Sequence, residues 1–215
     1  GNVKGGILDN YQRSFSILGH NVIAFNSQLV WKAIVRNIYT KIAFKVSSDL
    51  FFRKVNIQLL TAVQSFEPHF VLIFKGMELY PHTIEEIKKH AILVANYNPD
   101  HPYDFFSLRS GNNNVRNALM NYDIHFSYSK NIVKKLNSDD YDAYWIPFGF
   151  DGMVKLNEIH KPLLTSSYVF IGSPDKKRAD ILDRISLRHD NIFVFGGNEW
   201  NNYLKIRPVL KNRFT

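Results

Sequence analysis

The chain has 215 residues, 45% of them hydrophobic and 14% aromatic, which suits one well-filled core or one and a half α/β domains and excludes a disordered segment. It has no cysteine, so disulfides, zinc-thiolate centres and thiol nucleophiles are excluded. A formal charge of +8 favours anionic ligands, but the aromatic residues fall inside apolar runs, not between arginines and lysines on a polar face, so nucleic acid is not the expected partner.

Residues 1–6 form a glycine-rich opening with no strand before it, where a nucleotide-binding α/β domain would feed such a loop from a hydrophobic strand. Ile7, Leu8, Tyr11, Phe15 and Leu18 recur at helical spacing up to Gly19, which predicts a helix over 7–19. Residues 21–25 read as a short strand. From Gln28 to Phe66 the pattern is helical, with Ser47, Ser48 and Asp49 as an N-cap cluster for its second helix and Pro68 as the stop. Phe70 to Phe74 is an apolar strand that runs straight into Lys75-Gly76-Met77-Glu78. Lys75 there can bind an anion, Glu78 can accept from a hydroxyl and Gly76 permits close backbone approach; the bland alternative is that the two charges face water. Pro81 sits where a first helical residue belongs, and Thr83 to His90 carries the helix that follows.

Ile92 to Ala95 is a buried strand, cut off by a turn in which Pro99 and Pro102 fix φ and remove two donors. Asp100 and His101 are thereby held on a stiff loop at the strand's carboxyl end, beside Asn98, and that edge of an open α/β sheet is where ligands bind. The pair suits a general base or a positioned hydrogen-bonding couple; alternatively Asp100 only caps its own turn. The polar segment from Tyr103 to Asn114, with Arg109 and three consecutive asparagines, is long enough to suggest a functional loop. Next come a short helix at Val115 to Met120, an alternating strand at Asp123 to Tyr128 and a helix capped by Ser129 through Leu136. A strand at Ala143 to Ile146 and the turn Pro147-Phe148-Gly149-Phe150-Asp151 follow. This alternation specifies an α/β fold, a mostly parallel Rossmann-like sheet with helices on both faces. Residues 152–166 read as a linker between a domain at 1–151 and a second at 167–215.

The second unit opens with a strand from Tyr168 to Gly172, turns at Ser173-Pro174-Asp175 and enters a helix from Lys176 to about Leu187. A strand at Ile192 to Phe195 then ends in Gly196-Gly197. Gly172 ahead of a helix N-terminus, with Lys176, Lys177 and Arg178, reads as a phosphate cradle; otherwise Ser173 or Asp175 is a plain N-cap and the basic run a solvated face. Two strands alone bury too little apolar surface, so this unit is expected to lean on the first domain or on a partner. The basic tail, Lys205, Arg207, Lys211 and Arg213, suits peripheral contact with an anionic membrane. No apolar run approaches the roughly 20 residues of a membrane span and no signal segment is visible, so the expected location is the cytoplasm.

Three strings, Phe74 to Pro81, Asn96 to Pro102 and Phe170 to Arg178, together with the Ser129 helix and the turn from Ile146 to Asp151, resemble the two-Rossmann (GT-B) glycosyltransferases. Within that class they resemble the CgeB-like family of bacterial spore-coat and surface-polysaccharide loci, over about residues 7 to 205. The resemblance implies sugar transfer from a nucleotide-sugar donor to a hydroxyl of a glycan or lipid-linked acceptor, without metal or further cofactor. It also implies a first lobe on the acceptor side and a second on the donor side of a shared cleft. Asp100 or His101 would be the base; Lys75, Gly76, Glu78, Asn98 and Arg109 would line the acceptor side; and Gly172, Ser173, Lys176, Arg178 and Gly196 would meet the donor. Two departures stand out, the usual first strand ahead of Gly1 and the second lobe's carboxylate-bearing donor loop, and they imply only a portion of a working enzyme. The alternative is a non-catalytic binding module that keeps the scaffold.

Overall fold

The structure, a computed structural model, describes residues 6–105, 110–149 and 168–213; Arg109, residues 150–151 and the 152–166 linker lie outside them. The chain divides into two units, Gly1–Met153 and Val154–Thr215.

The first unit is built on four parallel strands in the order β1 (Phe70–Phe74), β2 (Leu93–Tyr97), β3 (Ile124–Ser127) and β4 (Ala143–Trp145). Parallel neighbours need a crossover, and each is supplied by a helical connection: α5 (Pro81–Lys88), then α6 (Asn113–Asn117) with a 3-10 turn at Leu119–Asn121, then α7 (Lys130–Ser138). Ahead of β1 stand α1 (Ile7–Ile17), α2 (Ser27–Ile34), α3 (Ile38–Val46) and α4 (Asp49–Phe66). Val55, Leu59 and Val63 of α4 and Ile84 and Ile87 of α5 pack with Ile73 and Val94 of the sheet into the main core. Each fully buried aliphatic side chain there contributes about 1.5–3 kcal/mol. A smaller cluster, Leu119, Leu136 and Ala143, closes the other end.

Four sequence expectations are corrected here. Residues 21–25 join no sheet among the described residues, and Phe25 packs instead against the main core. The stretch from Gln28 to Phe66 is three helices: Asn37 starts a new one through a reciprocal capping box with Thr40, the Thr40 amide donating to Asn37 Oδ1 at 2.9 Å and the Asn37 amide to Thr40 Oγ1 at 3.2 Å. Ser48 precedes α4 but makes no side-chain cap; the Asp49 carboxylate instead accepts from the Tyr80 hydroxyl at 2.7 Å. The helix expected over 115–120 begins earlier, at Asn113, because Asn112 caps it by accepting from the Val115 amide at 3.2 Å.

The second unit pairs β5 (Tyr168–Ile171) with β6 (Ile192–Phe195) in parallel, joined by α8 (Lys176–Ser186), and ends in α9 (Asn201–Leu204) and α10 (Pro208–Lys211). It gathers its own core from Ala179, Leu182, Ile192, Val194, Trp200, Leu204 and Leu210. The tail is part of that core and not a loose basic arm. Arg207, 8% exposed, pairs with Asp180 at 2.5 Å, and Arg213 pairs with Asp190 at 2.5 Å while its carbonyl accepts from the Val194 amide. No described helix is long and apolar enough to cross a membrane.

Candidate functional site

The register that sets Phe74 opposite Tyr97 ends β1 and β2 side by side, so the turns that follow them meet. Lys75 Nζ lies 2.5 Å from Asp100 Oδ2. To reach it Lys75 adopts φ +63°, a left-handed conformation that costs a side-chain-bearing residue about 1–2 kcal/mol. The other two non-glycine residues with positive φ among those described, Glu67 and Asp140, follow the ends of α4 and α7, where such a twist closes a helix. Lys75 closes no helix, and strain of this kind persists only where the surroundings enforce it.

Asparagines do the enforcing. Asn96, buried in β2, donates to the carbonyls of Ile73 at 3.1 Å and Lys75 at 3.4 Å. The Met77 carbonyl accepts from both Asn112 at 2.8 Å and Asn114 at 3.1 Å, and Asn56 of α4 bridges the Glu78 carbonyl at 2.8 Å and the Tyr80 amide at 2.9 Å. Gly76, at φ +84°, is required twice: by its conformation, and because a Cβ would lie 2.8 Å from the Tyr122 hydroxyl. Burial pushes that phenol up, opposed by its hydrogen bond with Asn96. Glu78 is half-buried in the same turn.

On the second turn, buried Asn98 accepts from the Asp100 amide at 2.9 Å, and its Nδ2 finds no partner among the described residues. His101 Nδ1 accepts from the amides of Asp104 at 2.9 Å and Tyr103 at 3.3 Å, so the neutral ring carries its proton on Nε2 and acts as a donor. His101 Nδ1 is thus committed to its own turn, whereas Asp100 has Oδ2 on Lys75.

Beside these turns lies a feature that reading the sequence missed. Tyr11 packs edge-on against Phe74 at 4.9 Å, Phe74 against Tyr97 at 5.7 Å and Tyr97 against Phe148 at 6.3 Å; Phe148 then stacks on Tyr128 at 4.6 Å. Burial raises the Tyr97 phenol, with smaller contributions from Tyr11 and Tyr128. Trp145 donates to the Tyr128 carbonyl at 2.7 Å, and Lys130 Nζ sits 4.7 Å from its ring centre. Phe148 is 57% exposed and Trp145 46%, a solvent-facing aromatic surface that suits the apolar face of a sugar or a base. The signal was present in the aromatics immediately after β3 and within and after β4, but each read singly as strand or turn.

In the second unit Gly172 and the α8 start, expected to cradle a phosphate, meet groups of the chain itself. The Gly172 amide donates to the Phe195 carbonyl at 3.0 Å and the Gly172 carbonyl accepts from Trp200 Nε1 at 2.8 Å. A Cβ on Gly196 would lie 2.4 Å from Trp200 Nε1, so Gly196 makes room for that indole, whereas a Cβ on Gly172 would meet the Phe170 ring at 3.3 Å. Asp175 accepts from the Arg178 amide at 2.8 Å, and Arg178 folds back to the Asp175 carboxylate at 3.1 Å and the Ser173 carbonyl at 2.9 Å. The helix start is thus occupied by the chain's own carboxylate, leaving Ser173 and Lys176 exposed beside it. Among the described residues no three His, Asp or Glu side chains gather as a metal site.

No protein-family model and no curated protein sequence matches the chain. Among solved structures it is similar to S. aureus MnaA in complex with UDP, at 12% identity and a TM-score of 0.50 over 76% of this chain and 50% of that one. A Listeria monocytogenes protein described as a UDP-N-acetylglucosamine 2-epimerase is matched at 8% identity and a TM-score of 0.49, over 76% of this chain and 51% of that one. The fold is GT-B-like. The chain spans about half the length of both proteins, and at these identities the likeness is one of fold; the finer CgeB-like resemblance finds no support in it.

Proposed function

We propose that this chain belongs to a sugar-nucleotide enzyme and that its reaction is transfer of a sugar to an acceptor hydroxyl, glycan or lipid-linked. The observation that carries the reading is Lys75, held in a left-handed conformation by buried asparagines so that it meets Asp100 at the carboxyl edge of a parallel sheet. The fold match to a protein bound to UDP supports the choice of nucleotide. Asp100 takes the proton of the acceptor hydroxyl as the oxygen bonds to the anomeric carbon. The bond from that carbon to the diphosphate breaks, and the nucleoside diphosphate leaves with the electron pair. Lys75 keeps Asp100 oriented, and the Tyr128–Phe148 surface offers a stacking face.

The test is UDP binding by thermal shift and calorimetry, with ADP and GDP as comparisons. UDP at about 100 times its Kd stabilises the folded chain by about 2.7 kcal/mol, roughly 5–10 °C in Tm at this size. Asp100→Asn abolishes transfer while keeping the UDP shift. If no nucleoside diphosphate shifts Tm or gives a binding isotherm, the proposal fails. A second reading, a module that binds without turnover, draws on the commitment of His101 to its turn and of Asp175 to the α8 start. It predicts the same shift and no product.

A further inference from the structure

We infer that the outward side of α3 is a docking face for the surface of a bilayer that carries anionic lipid. α3 is fixed to the unit by one ring. Phe44 stacks on Trp31 of α2 at 4.9 Å and meets Phe51 and Phe52 of α4 edge-on at 5.3 and 5.9 Å, while Val30 and Trp31 carry α2 onto the main core. At about 100° per residue, Ile38, Tyr39 and Ile42 lie roughly 120–160° round the helix from Phe44. They are 62%, 80% and 54% exposed. A surface helix ordinarily buries such a stripe and shows its polar side to water; α3 does the reverse. A groove of about 310 Å³ between α2 and α3, lined by Trp31, Val35, Ile38, Lys41, Ile42 and Phe44, extends the apolar surface. Contiguous apolar surface rimmed by charge marks a site of interaction.

Charge selects the occupant. From Asn10 to Ser48 the sequence holds no aspartate or glutamate, whereas Arg13, Lys32, Arg36, Lys41 and Lys45 are cationic. Lys32, Arg36 and Lys41 are exposed, Lys32 Nζ lies 5.6 Å from the Trp31 ring centre, and the ion pairs of the described residues engage none of the three. Isoleucines beside unpaired cations, with a tyrosine suited to the headgroup level, match hydrocarbon beneath an anionic surface. A second copy of the chain would bring cations to cations, and a nucleic acid would leave the isoleucines in water. This face is distinct from the tail, whose Arg207 and Arg213 are paired within the second unit. It also leads toward the site. α3 ends at Val46, α4 begins at Asp49, and the Tyr80 hydroxyl donates to Asp49, tying that junction to the chain just after the Lys75–Glu78 turn. Docking there brings the β1–β2 edge to a lipid-linked acceptor. That consequence rests on the proposed transfer; the docking itself does not.

The test is flotation of the whole chain with vesicles of phosphatidylcholine alone and of phosphatidylcholine mixed with phosphatidylglycerol, without donor nucleotide, so that its result stands apart from the UDP shift. Expected is binding to the mixed vesicles that weakens as salt rises. Lys32→Gln, Arg36→Gln and Lys41→Gln together weaken it on the order of 100-fold. Ile38→Ser and Ile42→Ser weaken it about tenfold each. Glutamine at three exposed lysines elsewhere, Lys134, Lys177 and Lys211, has a much smaller effect, and circular dichroism checks that every variant keeps the fold. No binding of the parent chain to mixed vesicles at low salt overturns the inference. Equal loss from the two sets of charge changes does so as well, since it marks attraction by net charge alone. A dimer that forms without lipid and is abolished by the two serine changes would assign the face to a second copy and overturn it too.

Discussion

Gly76→Ala tests whether the Lys75 turn is held as described. The added Cβ meets two separate costs. A side-chain-bearing residue at φ +84° loses about 1–2 kcal/mol, and overpacking against the Tyr122 hydroxyl, 2.8 Å away, adds about 1–3 kcal/mol because that ring is buried and rigid. Together they predict about 2–5 kcal/mol, a fall in Tm of roughly 5–20 °C at this chain length. Urea unfolding followed by circular dichroism measures the total, and Tyr122→Phe separates its parts. Alone that variant costs about 1 kcal/mol through the lost bond to Asn96. Combined with Gly76→Ala it removes the steric component, so the pair falls short of additivity by about 1 kcal/mol or more. A Gly76→Ala protein within about 0.5 kcal/mol of the parent, or strictly additive single changes, would refute the reasoning.

Two further outcomes follow. His125 is buried with Nε2 donating to the Leu119 carbonyl at 2.9 Å, and desolvation holds its pKa below the ordinary value against that bond and the Asp142 charge. The unfolded chain therefore takes up a proton near pH 6.5 that the folded chain resists, so stability is lost as pH falls from about 6.5 toward the folded pKa. His125→Gln flattens the urea midpoint against pH in that window, and an unchanged slope would reject the assignment. In the second unit Gly196→Ala places a methyl against Trp200 and within 2.6 Å of the Gly172 carbonyl, costing about 1–3 kcal/mol. A red shift in tryptophan emission at lower urea reports it, and native emission at an unshifted midpoint would show that the indole has room.

The two strands that position the site were readable because each opens on an apolar run with a sharp end, glycine-marked after β1 and proline-bracketed after β2, although β2 runs past Ala95 through the buried Asn96 to Tyr97. Residues 21–25 misled for the converse reason: a strand exists only through its ladder, and an apolar pentamer carries no record of whether a neighbour is present. Gly172 shows the limit of a glycine motif, because a glycine before a helix looks alike whether its backbone meets a phosphate or only accepts from an indole 28 residues further on. The break at Asn37 could have been seen, since Asn-x-x-Thr is a capping pattern, but the apolar spacing runs across it. The aromatic surface of Tyr128, Trp145 and Phe148 depends on β3 and β4 lying side by side, which no single window of residues contains.

The amide side chains explain why the site falls at this edge of the first unit. Asn56 must give a proton to the Glu78 carbonyl and accept one from the Tyr80 amide, and Asn96 must donate to two carbonyls from a buried strand. An aspartate has no proton to give and would bring an unpaired charge into the core, while a serine is too short to bridge two backbone groups. Neutral, two-sided side chains are thus the ones that can freeze two turns from beneath without competing with the charges those turns present. The second unit uses its buried hydrogen bonds differently, tying Trp200 and Arg207 into its own core. Strain enforced by buried asparagines thus fixes a lysine and an aspartate against each other where β1 and β2 end together, the preorientation that the proposed role of Asp100 requires.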